Sequence, residues 1–244
     1  MSNAQVGAIL AGIFQSFRNM DRAAINRSYY AGHKYPTGLR HFDSHQNPNT
    51  NPSPNSRPRF YTEDAWTNEL AIRMPELQEV TSARPRPCYP SGLGQADLLV
   101  CINDARELWF EIKGAWKYDR FKPHEYVLNP AFVKHFTSRS EGVPRDFEKL
   151  RVLQGRANTI ACVLVVGFDR NGSHPYSISD REVSTLTRNA QIDDAWCKHY
   201  DEWDDIHQVA DANYHGLRSG FRVRCWAWTR EMGPSGTILA SEGA

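Results

Sequence analysis

Apolar positions fall along this chain in two kinds of pattern. The first kind is short and strand-like. Residues 96–102 and 108–112 are apolar runs on either side of a polar break at 103–106. Strand-forming residues around a turn-rich break predict a β-hairpin. In its second arm Leu108, Phe110 and Ile112 point one way and Trp109, Glu111 and Lys113 the other. A carboxylate and an ammonium thus share one face, two residues apart. Residues 159–168 (TIACVLVVGF) are almost continuously apolar and run into Asp169-Arg170-Asn171-Gly172, which predicts a central, buried strand. Residues 221–229 (FRVRCWAWT) alternate and predict a last strand.

The second kind repeats every three or four residues. Val6, Leu10, Ile13, Phe17 and Met20 predict a helix within residues 4–28. Its stripe either packs on its own domain or serves a protein partner or a homodimer. Trp66, Leu70, Met74 and Leu77 predict a helix beginning at Thr62, with Glu63 and Asp64 in its first turn and Pro75 ending or kinking it. Phe147, Leu150, Leu153 and Gln154 predict a helix from 147 to about 158, preceded by Pro144 and Asp146. Trp196, Tyr200, Trp203, His207 and Ala210 predict one over 190–214, with an acidic opposite face that should turn away from nucleic acid.

The intervening stretches lack either period. Residues 43–59 are rich in Asn, Pro and Ser and predict a loop or linker. Residues 82–90 (SARPRPCYP) predict a connection, and 233–244 a flexible tail. Residues 114–146 are aromatic and basic, with little helical regularity. The expected division is an N-terminal helical segment (1–42), the linker (43–59), a core with a C-terminal helix–strand extension (60–232) and the tail.

Composition narrows the class. A chain of 244 residues can bury one sizeable core. Five cysteines, odd in number and without C-x-x-C spacing, argue for reduced thiols and a cytoplasmic setting. No apolar run reaches the length of a membrane span. No basic residue precedes the apolar stretch 6–14, which argues against a signal peptide.

Net charge is only +1, but its distribution is uneven. Lys113, Lys117, Arg120, Lys122, Arg145, Lys149 and Arg151 gather in one basic block, interleaved with Trp116, Tyr118, Phe121 and Tyr126. Cations mixed with aromatics suit phosphate contact and base stacking. Lys117, Arg120, Lys122, Arg145, Lys149 and Arg151 are the candidate nucleic-acid contacts. The nine histidines form no metal-binding pattern.

Folding the hairpin brings Asp97, at the start of its first strand, beside Glu111. The set Asp97, then Glu111-Ile112-Lys113, resembles the motif of the PD-(D/E)XK nuclease superfamily, over roughly residues 60–170. The motif's leading Pro is replaced by Ala96, a position that binds nothing. The resemblance implies an α/β, restriction-endonuclease-like core: a central mixed sheet flanked by helices. It implies a metal-dependent nuclease acting on DNA in preference to RNA. Asp97, Glu111 and the Ile112 carbonyl would ligate Mg²⁺ or Mn²⁺, with Lys113 as the catalytic cation. Superfamily members often add an acid from the first helix. Glu69, at the edge of the apolar stripe, is preferred to Glu63, which the helix dipole already explains. Asp146 to Leu150 resembles the D-x-x-K-L segment of several such families, which directs Lys149 to phosphate. The alternative is a catalytically inactive module that kept the fold as a DNA- or protein-binding scaffold.

One condition attaches to the site. A two-residue turn at 104–105 would put Asp97 opposite Ile112, on the wrong face. An odd-length turn, or a bend helped by Gly92 and Gly94, is required.

Overall fold

The structure is a computed structural model and describes residues 3–25, 62–92, 94–103, 106–122, 125–170, 175, 177–204 and 221–233. The predicted linker 43–59, the second half of the N-terminal segment, residues 205–214 and all but the first residue of the tail lie outside this set.

Helix α1 (Asn3–Ile25) and α2 (Thr62–Arg73) come first, followed by a single 3₁₀ turn at Met74–Glu76. Strands β1 (Val80–Pro85), β2 (Leu98–Ile102) and β3 (Arg106–Trp116) form a meander. A small ribbon, β4 (Tyr118–Lys122) and β5 (Glu125–Leu128), leads to α3 (Phe132–Thr137) and α4 (Val143–Leu150). Then come β6 (Thr159–Arg170), α5 (Asp180–Asn189), β7 (Cys197–Asp204) and β8 (Phe221–Glu231). The main sheet has six strands in the order β1-β2-β3-β6-β8-β7. It is mixed: β3 and β6 run parallel, and every other neighbouring pair is antiparallel. The protein is therefore α/β, with helices on both faces.

Both faces of the central strands are dry. Leu108, Phe110, Ile112, Ile160, Cys162, Leu164 and Val166 pack with α1 and α2. Trp109, Ala161, Val163 and Val165 pack with the helices of the other side through Phe132, Phe147, Leu150 and Leu186. This explains why β6 reads as an unbroken apolar run: neither set of alternating side chains meets water. The stripe of α1 is buried against its own sheet, and Leu10, Ile13, Phe17 and Met20 are each at most 1% exposed. That residue set is therefore spent on packing within the chain and is not open to a partner.

Several elements differ from the expectation, each for a physical reason. Residues 80–85 form strand β1, most of it within the stretch 82–90 where a connection was expected. As the edge strand it tolerates Pro85, which has no N–H to give to a ladder. The helix expected from 147 begins earlier, at Val143, with Pro144 in its first turn. It gives way to a 3₁₀ turn at Arg151–Leu153 and stops before Gly155, whose φ of +84° suits glycine. Gln154 is accordingly exposed.

The helix expected over 190–214 is instead strand β7 over residues 197–204. The spacing of Trp196, Tyr200 and Trp203 fits a helix, but a full ladder to β8 outweighs it. Lys198, Asp201 and Glu202 sit on this second edge strand, where charge guards an open edge. Helix α5 was not expected. Its signal was present as Ser179 and Glu182, which form a reciprocal capping box.

Among the described residues no helix is long and apolar enough to cross a membrane.

Candidate active site

The β2–β3 ladder pairs Leu98 with Phe110 and Ile102 with Arg106. Three residues, 103–105, therefore join the strands, an odd number. The ladder stops at Leu98; the next residue, Asp97, donates its amide to the Phe110 carbonyl at 3.0 Å and so lies beside the start of Glu111-Ile112-Lys113. The glycines at 92 and 94, with φ of +72° and +86°, instead shape the tip of the β1–β2 loop.

Beyond Phe110, β3 outruns β2. Its next two amides on that edge are taken by carboxylates instead of a strand. Ile112 donates to Asp97 Oδ2 at 2.6 Å, and Gly114 donates to Glu63 Oε1 at 2.8 Å. Edge amides left without a partner would be costly, which gives both acids a local reason for their positions. Lys113 Nζ reaches Glu63 Oε2 at 3.3 Å. Glu63, in the first turn of α2, is thus the helix acid that meets the cluster. Glu69 is buried elsewhere and held by Arg73, 2.6 Å from its Oε1. The preference for Glu69 does not survive, because six residues along α2, nearly two turns, carry its side chain away from the β3 edge.

Glu111 is only 1% exposed, and both of its oxygens are occupied. Tyr89 Oη donates to Oε1, and Lys149 Nζ donates to Oε2 at 2.7 Å. Lys149 also donates to Asp146 Oδ1 at 2.7 Å. Asp146 Oδ2 is buried and accepts nothing among the described residues. Tyr89 is carried by the β1–β2 loop, and its ring stacks on Trp109 with centroids 5.7 Å apart. The face of β3 bearing Glu111 is consequently core on both sides of the acid, which the alternation alone did not reveal.

These surroundings move the acids in one direction. Burial pushes Glu111 up to about 8, reinforced by the charges of Asp97 and Asp146 and opposed by Lys149. Burial also raises Asp97, to about 6, against the pull of the Ile112 amide. Burial works against charge on Lys113 and Lys149. Their acid neighbours outweigh it, Glu63 and Asp146 for Lys113 and Asp146 and Glu111 for Lys149, so both lysines stay above the usual lysine range. Both are ammonium ions at neutral pH, which suits charge stabilisation and not general-base action.

Among the described residues no group of three or more His, Cys, Asp and Glu side chains is arranged to hold a metal ion. Mg²⁺ asks for less, since one or two carboxylates with water and substrate oxygens suffice. Asp97 Oδ1 accepts no hydrogen bond from the described residues. The Ile112 carbonyl leaves β3 on the same edge as its amide.

The basic candidates divide. Lys117 is bound to Glu182 and lies over the Phe132 ring, 4.5 Å from its centroid. Arg151 bonds Glu148, Gln191 and the Ala190 carbonyl. Lys149 belongs to the acid cluster. Arg145 is exposed and has no side-chain partner among the described residues. Arg120 and Lys122 lie on β4, where only the backbone is described, as with Tyr118, Phe121 and Tyr126. Tyr89 and Asp146 were not singled out as site residues. Asp146 could have been found from its place three residues before Lys149 on one helix face. Tyr89 carries no such signal.

Compared with known proteins, the chain matches no family model, no curated protein and no solved structure.

Proposed function

We propose that this protein is a metal-dependent nuclease of the restriction-endonuclease-like fold, hydrolysing phosphodiester bonds with DNA preferred over RNA. The observation that carries the reading is the 2.6 Å hydrogen bond from the Ile112 amide to Asp97 Oδ2, which brings Asp97 to the Glu111-Ile112-Lys113 stretch of β3. The reading is supported by the succession of helix α2, hairpin β2–β3, helix α4 and strand β6, since helix, hairpin, helix and strand is the order the resemblance to PD-(D/E)XK nucleases implies.

Asp97 and Glu111, with the Ile112 carbonyl, are the residues that would hold Mg²⁺ or Mn²⁺. Two largely buried acids with raised pKa values are a donor set whose charge a divalent cation would balance. Such a cation would polarise a phosphoryl oxygen and lower the pKa of a bound water. The chain's own groups do the rest. Glu63 fixes Lys113 at the open end of β3, where its ammonium faces negative charge developing on phosphate. The Ile112 amide orients the Asp97 carboxylate, and the Tyr89 hydroxyl orients that of Glu111. The low-dielectric surroundings strengthen each of these contacts.

A second reading has its own observation. Lys149 and Glu63 neutralise Glu111 and Lys113 internally. That is the arrangement of a scaffold that has kept the fold without the reaction. Incubating plasmid and linear DNA with the protein in Mg²⁺, Mn²⁺ or EDTA separates the two. Cleavage that depends on the cation and disappears in Asp97→Asn supports the nuclease. DNA left intact at every cation concentration tested would leave the scaffold.

A further inference from the structure

Glu111 is served by an ammonium at one of the two oxygens it could offer a metal ion. Lys149 Nζ sits 2.7 Å from Glu111 Oε2 and 2.7 Å from Asp146 Oδ1. Both carboxylates are buried, at 1% and 5% exposure, so the ammonium is the cation that balances them in a poorly screened interior. The acceptor capacity here exceeds what one ammonium fills, because Asp146 Oδ2 is buried without a donor. Lys149 is also the exposed member of the trio. Its side chain is 40% accessible and comes from α4 on a flexible stem. The ammonium can leave Glu111 without unpacking the helix, whose core contacts are Val143, Phe147 and Leu150.

We propose that Lys149 is a built-in counter-cation that competes with a divalent metal ion for Glu111, with Asp146 as the second seat that retains the ammonium when the metal takes its place. The inference rests on the metal-dependent reading above. It is a simple exchange of cations at one carboxylate, with no bond made or broken. A lysine serving only to staple α4 to β3 would lower stability when removed but leave metal affinity alone.

The test is calorimetric titration of Mn²⁺ into the full chain at pH 8.5 without nucleic acid, for the parent, Lys149→Met, Lys149→Gln and Lys149→Arg. Removing one charge at contact distance from the ligand should tighten Mn²⁺ binding by about tenfold or more in the Met and Gln variants. Arg keeps the charge and should bind as the parent does. The gain should vanish when Asp97→Asn is added, which locates it at this site. Should Lys149→Met not fold, the Gln variant carries the comparison. Parent binding that is measurable but unchanged or weakened in Lys149→Met and Lys149→Gln would overturn the exchange and leave the metal reading standing. So would a gain that survives Asp97→Asn. Absence of Mn²⁺ binding in the parent and the lysine variants alike would overturn both.

Discussion

Asp97 lies just beyond the β2–β3 ladder, next to Leu98, and its Oδ2 accepts a 2.6 Å hydrogen bond from the amide of Ile112, the residue after Glu111. One side chain therefore replaces the strand that β3 has outrun, beside the buried acid. The juxtaposition depends on an odd three-residue connection, since one residue more or fewer would turn Asp97 to the other face.

Removing either charge on β3 should stop the proposed reaction while the fold survives. Glu111→Gln and Lys113→Met should each lower cleavage by about a hundredfold or more, the usual effect of deleting one preorganised charge. The near-isosteric changes matter, because Glu111 lies within the core and truncation to Ala would leave a cavity. Circular dichroism and single-turnover cleavage check the two halves. Parent-like cleavage in either variant would remove that residue from the site.

The two acids of α2 should separate clearly. Glu63 holds Lys113 and the Gly114 amide, whereas Glu69 holds Arg73. Glu63→Gln should therefore reduce kcat by about tenfold or more through a looser lysine, and by more than Glu69→Gln does. Cleavage kinetics of the two variants side by side test this, and the reverse order would return Glu69 to the site.

Stability should depend on pH in a definite sense. In the folded protein Asp97 is raised to about 6 and Glu111 to about 8, while in the unfolded chain both titrate near ~4. Between those values the folded state holds more protons, so stability falls as pH rises from about 4 to about 8. Asp97→Asn with Glu111→Gln should flatten that slope. Millimolar Mn²⁺ should raise Tm most at the alkaline end, where both acids are ionised. Melting curves across this range, in EDTA and in Mn²⁺, provide the measurement. Identical slopes in parent and double variant would remove these acids as its source.

Nucleic-acid affinity should fall with salt, and Arg145 should carry part of that dependence. It is the candidate cation exposed without an acidic partner among the described residues. Arg145→Glu should weaken binding and flatten the log–log salt slope by about one unit. Lys117→Glu should instead disturb folding, because Lys117 is tied to Glu182. Fluorescence anisotropy with labelled duplex across a salt series measures the first, and thermal melting of the Lys117→Glu protein the second. An affinity indifferent to salt would point to a partner other than nucleic acid.

The close contact of β6 with β8 gives a test of the fold itself. A Cβ at Gly167 would lie 2.5 Å from Trp226 Cζ3 and 3.1 Å from Ile178 Cδ1. Gly167→Ala should cost about 1–3 kcal/mol through overpacking, seen as a lower denaturation midpoint at unchanged m-value. A midpoint equal to the parent's would mean that the Trp226 ring packs differently.

Local periodicity settled a definite part of this protein. Alternation from Leu108 to Lys113 determined that Glu111 and Lys113 share a face of β3. The unbroken run at 159–168 determined a strand buried on both sides, and the stripe from Val6 to Met20 a helix with one apolar face. These follow from side-chain direction, which repeats every two or every 3.6 residues whatever the rest of the chain does.

What lay beyond reach was set by contacts distant in sequence. The strand at 197–204 carries a helical spacing of aromatics, and only the ladder offered by β8 decides against the helix. Glu63 rather than Glu69 meets Lys113 because of where α2 crosses the end of β3, fifty residues away. Tyr89 reaches Glu111 from a loop, and Asp146 is linked to it through Lys149 from a helix, on opposite sides of it in sequence. No spacing rule links such residues. Their meeting is decided by the packing of layers and the register of the ladder, which exist only once the sheet has formed.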